Sequence, residues 1–161
     1  MRSDAKTSLY LQYAALPWRK NGDALEILLI TTLRTARWIV PKGWPIEGLA
    51  PHASAAQEAL EEAGIAGTID QHPLGSFSYK KLRKSGETVT CKVDVFPLQV
   101  KSQRQRFAEK ASRQVLWCSV EDAMTRVQEA GLCRLLLKFA NAHRKPTRVV
   151  QKPERRQIAR R

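Results

Sequence analysis

Pro41-Lys42-Gly43-Trp44-Pro45-Ile46-Glu47-Gly48, followed six residues later by Ala55-Ala56-Gln57-Glu58-Ala59-Leu60-Glu61-Glu62-Ala63-Gly64-Ile65, is the stretch on which the fold and the chemistry turn. Its first half is a loop, because glycine and proline interrupt both helix and sheet ladders. Its second half predicts a helix that begins near His52 to Ser54 and stops at Gly64, a natural C-terminal cap. Glu58, Glu61 and Glu62 then stand at i, i+3 and i+4 and share one helix face. Like charges at that spacing repel by a few tenths of a kcal/mol per pair. A divalent cation reverses that sign, and an oxygen-only donor set favours magnesium or manganese. The ordinary alternative is a solvated acidic face. Three of only 15 acids packed beside a glycine loop weigh against it.

Outward from this stretch, the pattern alternates strand and turn. Leu9 to Leu16 and Leu25 to Thr32 read as strands joined by the Asn21-Gly22-Asp23 turn, a hairpin. Trp38 to Val40 is a short strand halted by Pro41. Beyond the helix, Ile65 to Ile69, Leu74 to Lys81 and Thr88 to Val100 read as strands. In the last, Val89, Cys91, Val93 and Val95 alternate with Thr90, Lys92 and Asp94. Lys80 to Glu87 is a basic turn with Gly86, and Gln114 to Cys118 is another strand. Ser119, three residues before Asp122, marks the start of a helix over Val120 to Ala130. A last helix is expected over Cys133 to His143, packing through Leu135, Leu136, Phe139 and Ala140. This order predicts an α+β fold with a mixed-sheet sandwich rather than strict βαβ alternation.

The chain of 161 residues has 28 Lys and Arg against 15 Asp and Glu, a net +13. The excess is uneven: Arg144 to Arg161 carries eight basic residues and one acid, for +7, and residues 1–143 carry the remaining +6. We therefore expect one domain over residues 1–144 and a basic, disordered extension over 145–161. That extension is either a solubilising tail or a polyanion contact acting through counterion release. With 43% hydrophobic residues a packed core is expected, and no apolar run reaches the roughly 18–20 residues needed to span a bilayer. A cytoplasmic location with no membrane partner is the expectation. Cys91, Cys118 and Cys133 lack metal-ligand spacing and read as buried free thiols. Trp38 and Trp117 read as core, His52 as part of the helix start. His72 and His143 are isolated, so no nucleophile triad can be argued.

The decisive stretch resembles the Nudix box, G-x5-E-x7-R-E-U-x-E-E-x-G-U with U aliphatic. Gly43 matches the first glycine, and Glu58, Ala59, Glu61, Glu62, Gly64 and Ile65 match the right half in register. Two positions depart: Leu49 replaces the first glutamate and Gln57 the arginine. In the family those two side chains brace loop and helix, so their loss bears on orientation and rate rather than on the metal carboxylates. Glu47, two residues before Leu49, is a candidate stand-in. The resemblance covers roughly residues 8–143 and implies the Nudix α/β/α sandwich with a mixed β-sheet. The Pro-Lys-Gly-Trp-Pro opening and Pro51-His52 resemble bacterial members grouped with diphosphoinositol-polyphosphate and diadenosine-polyphosphate hydrolases.

That resemblance implies a magnesium-dependent (or manganese-dependent) hydrolase of a diphosphate joined to another group. Glu58 and Glu62 are the leading metal ligands, followed by Glu61 and the carbonyl of Gly43. One of these glutamates, or Glu109 after the long strand, is the candidate general base. Lys42, Lys80, Lys81, Arg83 and Lys84 are candidate phosphate contacts. Arg104, Arg106, Lys110 and Arg113 form a second basic set around Glu109. Trp44 is a candidate for stacking on the substrate. The competing reading is a Nudix-fold protein with weakened catalysis that binds RNA or another polyanion through its basic tail. Oligomeric state is left open by the sequence.

Overall fold

The structure, a computed structural model, describes residues 8–144. The extension over residues 145–161 lies outside them. Two long strands form the centre. β1 (Leu9–Asn21) runs parallel to β7 (Thr88–Gln103), in register from Leu9 opposite Thr90 to Trp18 opposite Gln99. β1 then turns at Gly22, which adopts φ 61°, into β2 (Ala24–Thr31). The path through the sheet is β3 (Trp38–Ile39), β2, β1, β7 and β5 (Ile65–Ile69). β4 (Lys42–Gly43) pairs with β1, β6 (Gly75–Leu82) with β7, and β8 (Val115–Ser119) with β2.

Burial explains why this sheet is sandwiched. Ala14, Ala15 and Leu16 in β1, and Ile27 to Ile30 in β2, are buried without alternation. Continuous burial means that both faces are covered, as in helix-flanked sheets. α1 (Pro51–Ala63) packs on β1, β4, β5 and β7, whereas α2 (Val120–Arg126) packs on β2 and β8 and α3 (Ala130–Ala142) on β6. The peripheral strand β6 keeps the half-buried alternation, with Phe77 inside and Ser76 and Ser78 outside.

Several elements differ from the sequence expectation. β1 runs past Leu16 through Pro17. The proline is tolerated because the antiparallel ladder to β2 begins only at Trp18, so no donor is missed there. Within the expected loop, Lys42 and Gly43 form a two-residue bridge to Ala14 and Tyr13. α2 stops at Arg126 instead of reaching Ala130, because Val127 turns extended (ψ 143°) and inserts its side chain into the core. α3 accordingly starts at Ala130, three residues before Cys133, with Gly131 lying close against the Cβ of Phe77. Leu132, Leu135, Leu136 and Phe139 form its buried stripe, and Ala140 is half-buried. Ser119 caps α2 as expected, its Oγ accepting from the Asp122 amide at 3.1 Å. Trp38 and Trp117 are partly buried at the edge of the core. Cys91 and Cys118 are buried free thiols, and Cys133 is half-buried. No described helix is long and apolar enough to cross a membrane.

Candidate active site

The site forms where the 41–50 loop meets α1. Pro51 opens the helix, and Gly64 closes it in the left-handed conformation (φ 69°). That conformation is open to glycine at no steric cost. The loop is fastened by Ser54, whose Oγ accepts from the Ile46 amide at 3.1 Å. Leu49, at the family's acidic position, is exposed. Gln57, at the arginine position, donates to Glu61 Oε1 at 2.9 Å. Glu47 is exposed and enters none of the hydrogen bonds that tie this site.

Glu62 is the buried member, only 5% exposed. Its Oε2 accepts from the backbone amide of Lys42 at 3.1 Å, and its Oε1 lies 3.3 Å from Arg113 Nη2. Burial pushes its carboxyl up to about 8, with Glu58 adding to the rise and Arg113 opposing it. Glu58 is raised too, by burial first and the Glu61 charge second. Two desolvated carboxyls side by side hold a proton more readily than two exposed ones. Gly43 makes this pairing possible: a Cβ at that position would collide with the Glu58 carboxyl.

Glu109 is brought to the same place from the loop after β7. Its amide donates to the Glu61 carbonyl at 3.0 Å, and its Oε1 lies 3.2 Å from Arg113 Nη2. Arg113 thus joins Glu62 of the helix to Glu109 of the loop. Its Nη1 donates to the Thr31 carbonyl at 2.9 Å, fixing it to the end of β2. Sequence reasoning placed Arg113 in the second basic set around Glu109 and missed this bridge. A basic residue four after a predicted catalytic acid was the available signal.

On the open side, Lys42 Nζ donates to the Tyr79 hydroxyl at 2.8 Å, which donates in turn to Gln12 Oε1 at 2.6 Å. Burial, and next the neighbouring Lys81 charge, lower the Lys42 ammonium to about 8. Lys81 reaches over Trp44 at 5.9 Å, Trp44 meets Tyr10 edge-on at 5.9 Å, and Arg83 donates to the Tyr10 hydroxyl at 3.1 Å. Lys42, Trp44, Lys81 and Arg83 therefore share one rim, with Tyr10, Gln12 and Tyr79 as members the sequence reading did not single out. Period-two spacing of Tyr10 and Gln12 on β1, and of Tyr79 and Lys81 on β6, carries that information. Lys80 is exposed in β6, between the rim residues Tyr79 and Lys81, and Lys84 is exposed in the turn. His52 instead lines a groove of about 410 Å³ with Ala56, Leu60 and Gly67.

The donor set suits a hard divalent ion at Glu58 and Glu62, where a desolvated carboxyl pair abuts a glycine backbone. As placed, the described residues hold no ready-made cage of three acidic, histidine or cysteine side chains. Glu61 is engaged by Gln57 and Glu109 by Arg113, so a third carboxylate ligand requires one of these side chains to turn.

No family model matches the chain. It is 31% identical over 125 residues to Nudix hydrolase 21, chloroplastic, of Arabidopsis thaliana, covering 76% of this chain and 61% of the relative. Nudix hydrolase 17, mitochondrial, of the same plant is 33% identical over 105 residues, covering 65% and 55%. A C. elegans Ap4A hydrolase binary complex superposes with a TM-score of 0.63 at 25% identity, covering 83% of this chain and 96% of that one. The chain belongs to the Nudix family. Its Nudix fold is shared at lower identity, 17%, by the MutT protein from Methanosarcina mazei, with a TM-score of 0.65. This Nudix chain spans about 61% of the length of the plant relative at 31% identity, and less of the others. Glu58, Glu61, Glu62 and Gly64 are its Nudix-box positions, and Glu58 and Glu62 meet at Gly43.

Proposed function

We propose that the chain is a divalent-metal-dependent Nudix pyrophosphohydrolase acting on a polyanionic substrate of the dinucleoside polyphosphate or diphosphoinositol polyphosphate type. The observation that carries this reading is the Glu58–Glu62 pair, buried against Gly43 and tied to the Lys42 amide. A bound magnesium or manganese ion supplies an activated water and neutralises phosphate oxygens. Glu58 and Glu62 would hold the ion, with the Gly43 carbonyl and Glu61 as further candidate ligands. Lys42, Lys81 and Arg83 bind phosphate oxygens, and Trp44 with Tyr10 offers aromatic surface to the group beyond the diphosphate. Glu109, or a box glutamate not engaged with the ion, accepts the proton of the attacking water. Arg113 positions Glu62 and Glu109.

The test is phosphate or pyrophosphate release from dinucleoside polyphosphates, inositol pyrophosphates, nucleotide sugars, ADP-ribose and capped RNA, with magnesium or manganese. Release abolished by chelator and by Glu62→Gln supports the reading; inertness across the panel overturns it. The Gln57–Glu61 bond and the exposed Leu49 favour a second reading, a weakened catalyst that retains polyanion binding. Salt-dependent RNA binding without turnover, lost on deleting residues 145–161, supports that alternative.

A further inference from the structure

A cavity of about 490 Å³ opens beside the carboxylates, and its seven lining residues include Gln103, Arg104, Gln105, Phe107, Lys110 and Arg113. Three of the seven are cations, and no carboxylate lines it. Arg104 and Lys110 enter none of the ion pairs found among the described residues. The side chain of Arg113 is only 11% exposed, and its buried Nε has no hydrogen-bond partner. Arg113 is paired with Glu62 and Glu109, so Arg104 and Lys110 are the cations that strengthen the local field an anion feels in this concavity.

The walls are fixed rather than loose. Arg104 donates its amide to the Gly64 carbonyl at 2.7 Å, Lys110 to Phe107 at 3.3 Å and Ser112 to Glu109 at 3.0 Å. The Phe107 ring lies so close to Gly64 that a Cβ there would strike it, which pins the loop to the end of α1. The backbone that carries the basic groups is therefore held in place before any ligand arrives, so binding has only the exposed Arg104 and Lys110 side chains left to order.

We propose that this cavity is an anion subsite that takes a phosphate group of the substrate lying beyond the hydrolysed diphosphate. The proposal rests on the hydrolase reading for the word substrate, but the binding itself does not depend on turnover. Arg104 and Lys110 supply charge and donors, and the Gln103 and Gln105 amides supply neutral donors. Arg113 connects the subsite to catalysis, since the same guanidinium touches Glu62 and Glu109. A chain of phosphates thus has cationic contacts in the cavity as well as at the Lys42–Lys81 rim.

Trp117 gives a local reporter, because its indole N–H donates to Gln103 Oε1 at 3.0 Å. The full chain, in chelator and at fixed ionic strength, is titrated with inorganic tripolyphosphate while the Trp117 and Trp44 indole resonances are followed by NMR. Assignment comes from the signal lost in Trp117→Phe and in Trp44→Phe. The expected result is a saturable Trp117 shift whose Kd rises about tenfold or more in Arg104→Gln with Lys110→Gln. The charge-matched pair Lys20→Gln with Lys138→Gln should leave that Kd near the wild-type value. A Trp117 signal that does not saturate overturns the subsite. So does an unchanged Kd in the cavity variant, or an equal loss in the charge-matched control. Absence of hydrolysis with the Trp117 result intact counts against the hydrolase reading alone.

Discussion

At the scale of single residues, the site is governed by desolvation. Glu62 binds its proton up to about 8 in the folded chain against 4.5 as the ordinary value. Its contribution to metal-free stability is therefore fully present below pH 4.5 and lost as pH rises through about 8. Denaturant midpoints measured across that window should fall with pH in the wild type and fall less in Glu62→Gln. Magnesium should counter the loss, since it replaces the proton. The same substitution should lower turnover on the order of a hundredfold or more. Gly43→Ala is expected to displace Glu58 and remove most metal-induced thermal stabilisation, read as the shift in Tm on adding manganese. The carboxylates themselves were legible from spacing. The bridge by Arg113 was not, because Glu62 and Thr31 are remote from it in sequence, and the fastening by Ser54 was not, because it depends on how the loop folds back eight residues onto the helix. Ser54 Oγ holds the loop to the helix, and Leu49 and Gln57 bring no charge to that junction. Installing Leu49→Glu with Gln57→Arg should therefore raise kcat while leaving Tm largely unchanged, measured on whichever substrate the panel identifies.

At the scale of elements, the strands were read well because alternation and turn residues are local signals. The hairpin at Gly22, the end of α1 at Gly64 and the cap at Ser119 all rest on a few neighbouring residues. The helix boundary near residues 127–130 was misplaced because it rests on packing. Nothing in the local pattern stops α2 at Arg126, whereas burying Val127 in the core does. Arg37 adds an ion pair to Glu129 at 2.8 Å from another part of the chain. Two substitutions separate these kinds of boundary. Ser119→Ala removes one cap bond and should cost about 1 kcal/mol in chemical denaturation. Gly64→Ala should cost more, because about 1–2 kcal/mol of left-handed strain is joined by the clash with Phe107. Since Phe107 belongs to the loop bearing Glu109, that variant should also lose turnover, which Ser119→Ala should not.

At the scale of the whole molecule, charge and topology act separately. Of the net +13, the +7 of residues 144–161 falls almost wholly outside the described fold. Deleting residues 145–161 should change metal-dependent turnover by no more than about twofold at physiological salt, since the carboxylates and the rim residues all belong to residues 8–144. The same deletion should abolish any RNA retention measured by salt elution. Topology has a different reach. The parallel pairing of β1 with β7 joins Leu9 to Thr90, and α1 rests on both strands. During synthesis at roughly 5–20 residues per second, β1 waits some seconds for its partner. Until β7 leaves the ribosome, the helix bearing Glu58 and Glu62 has only part of its platform, and Arg113, ten residues beyond Gln103, emerges later still. The nascent chain therefore passes through an interval without an assembled metal site, and the cation can reward folding only after most of the domain has emerged.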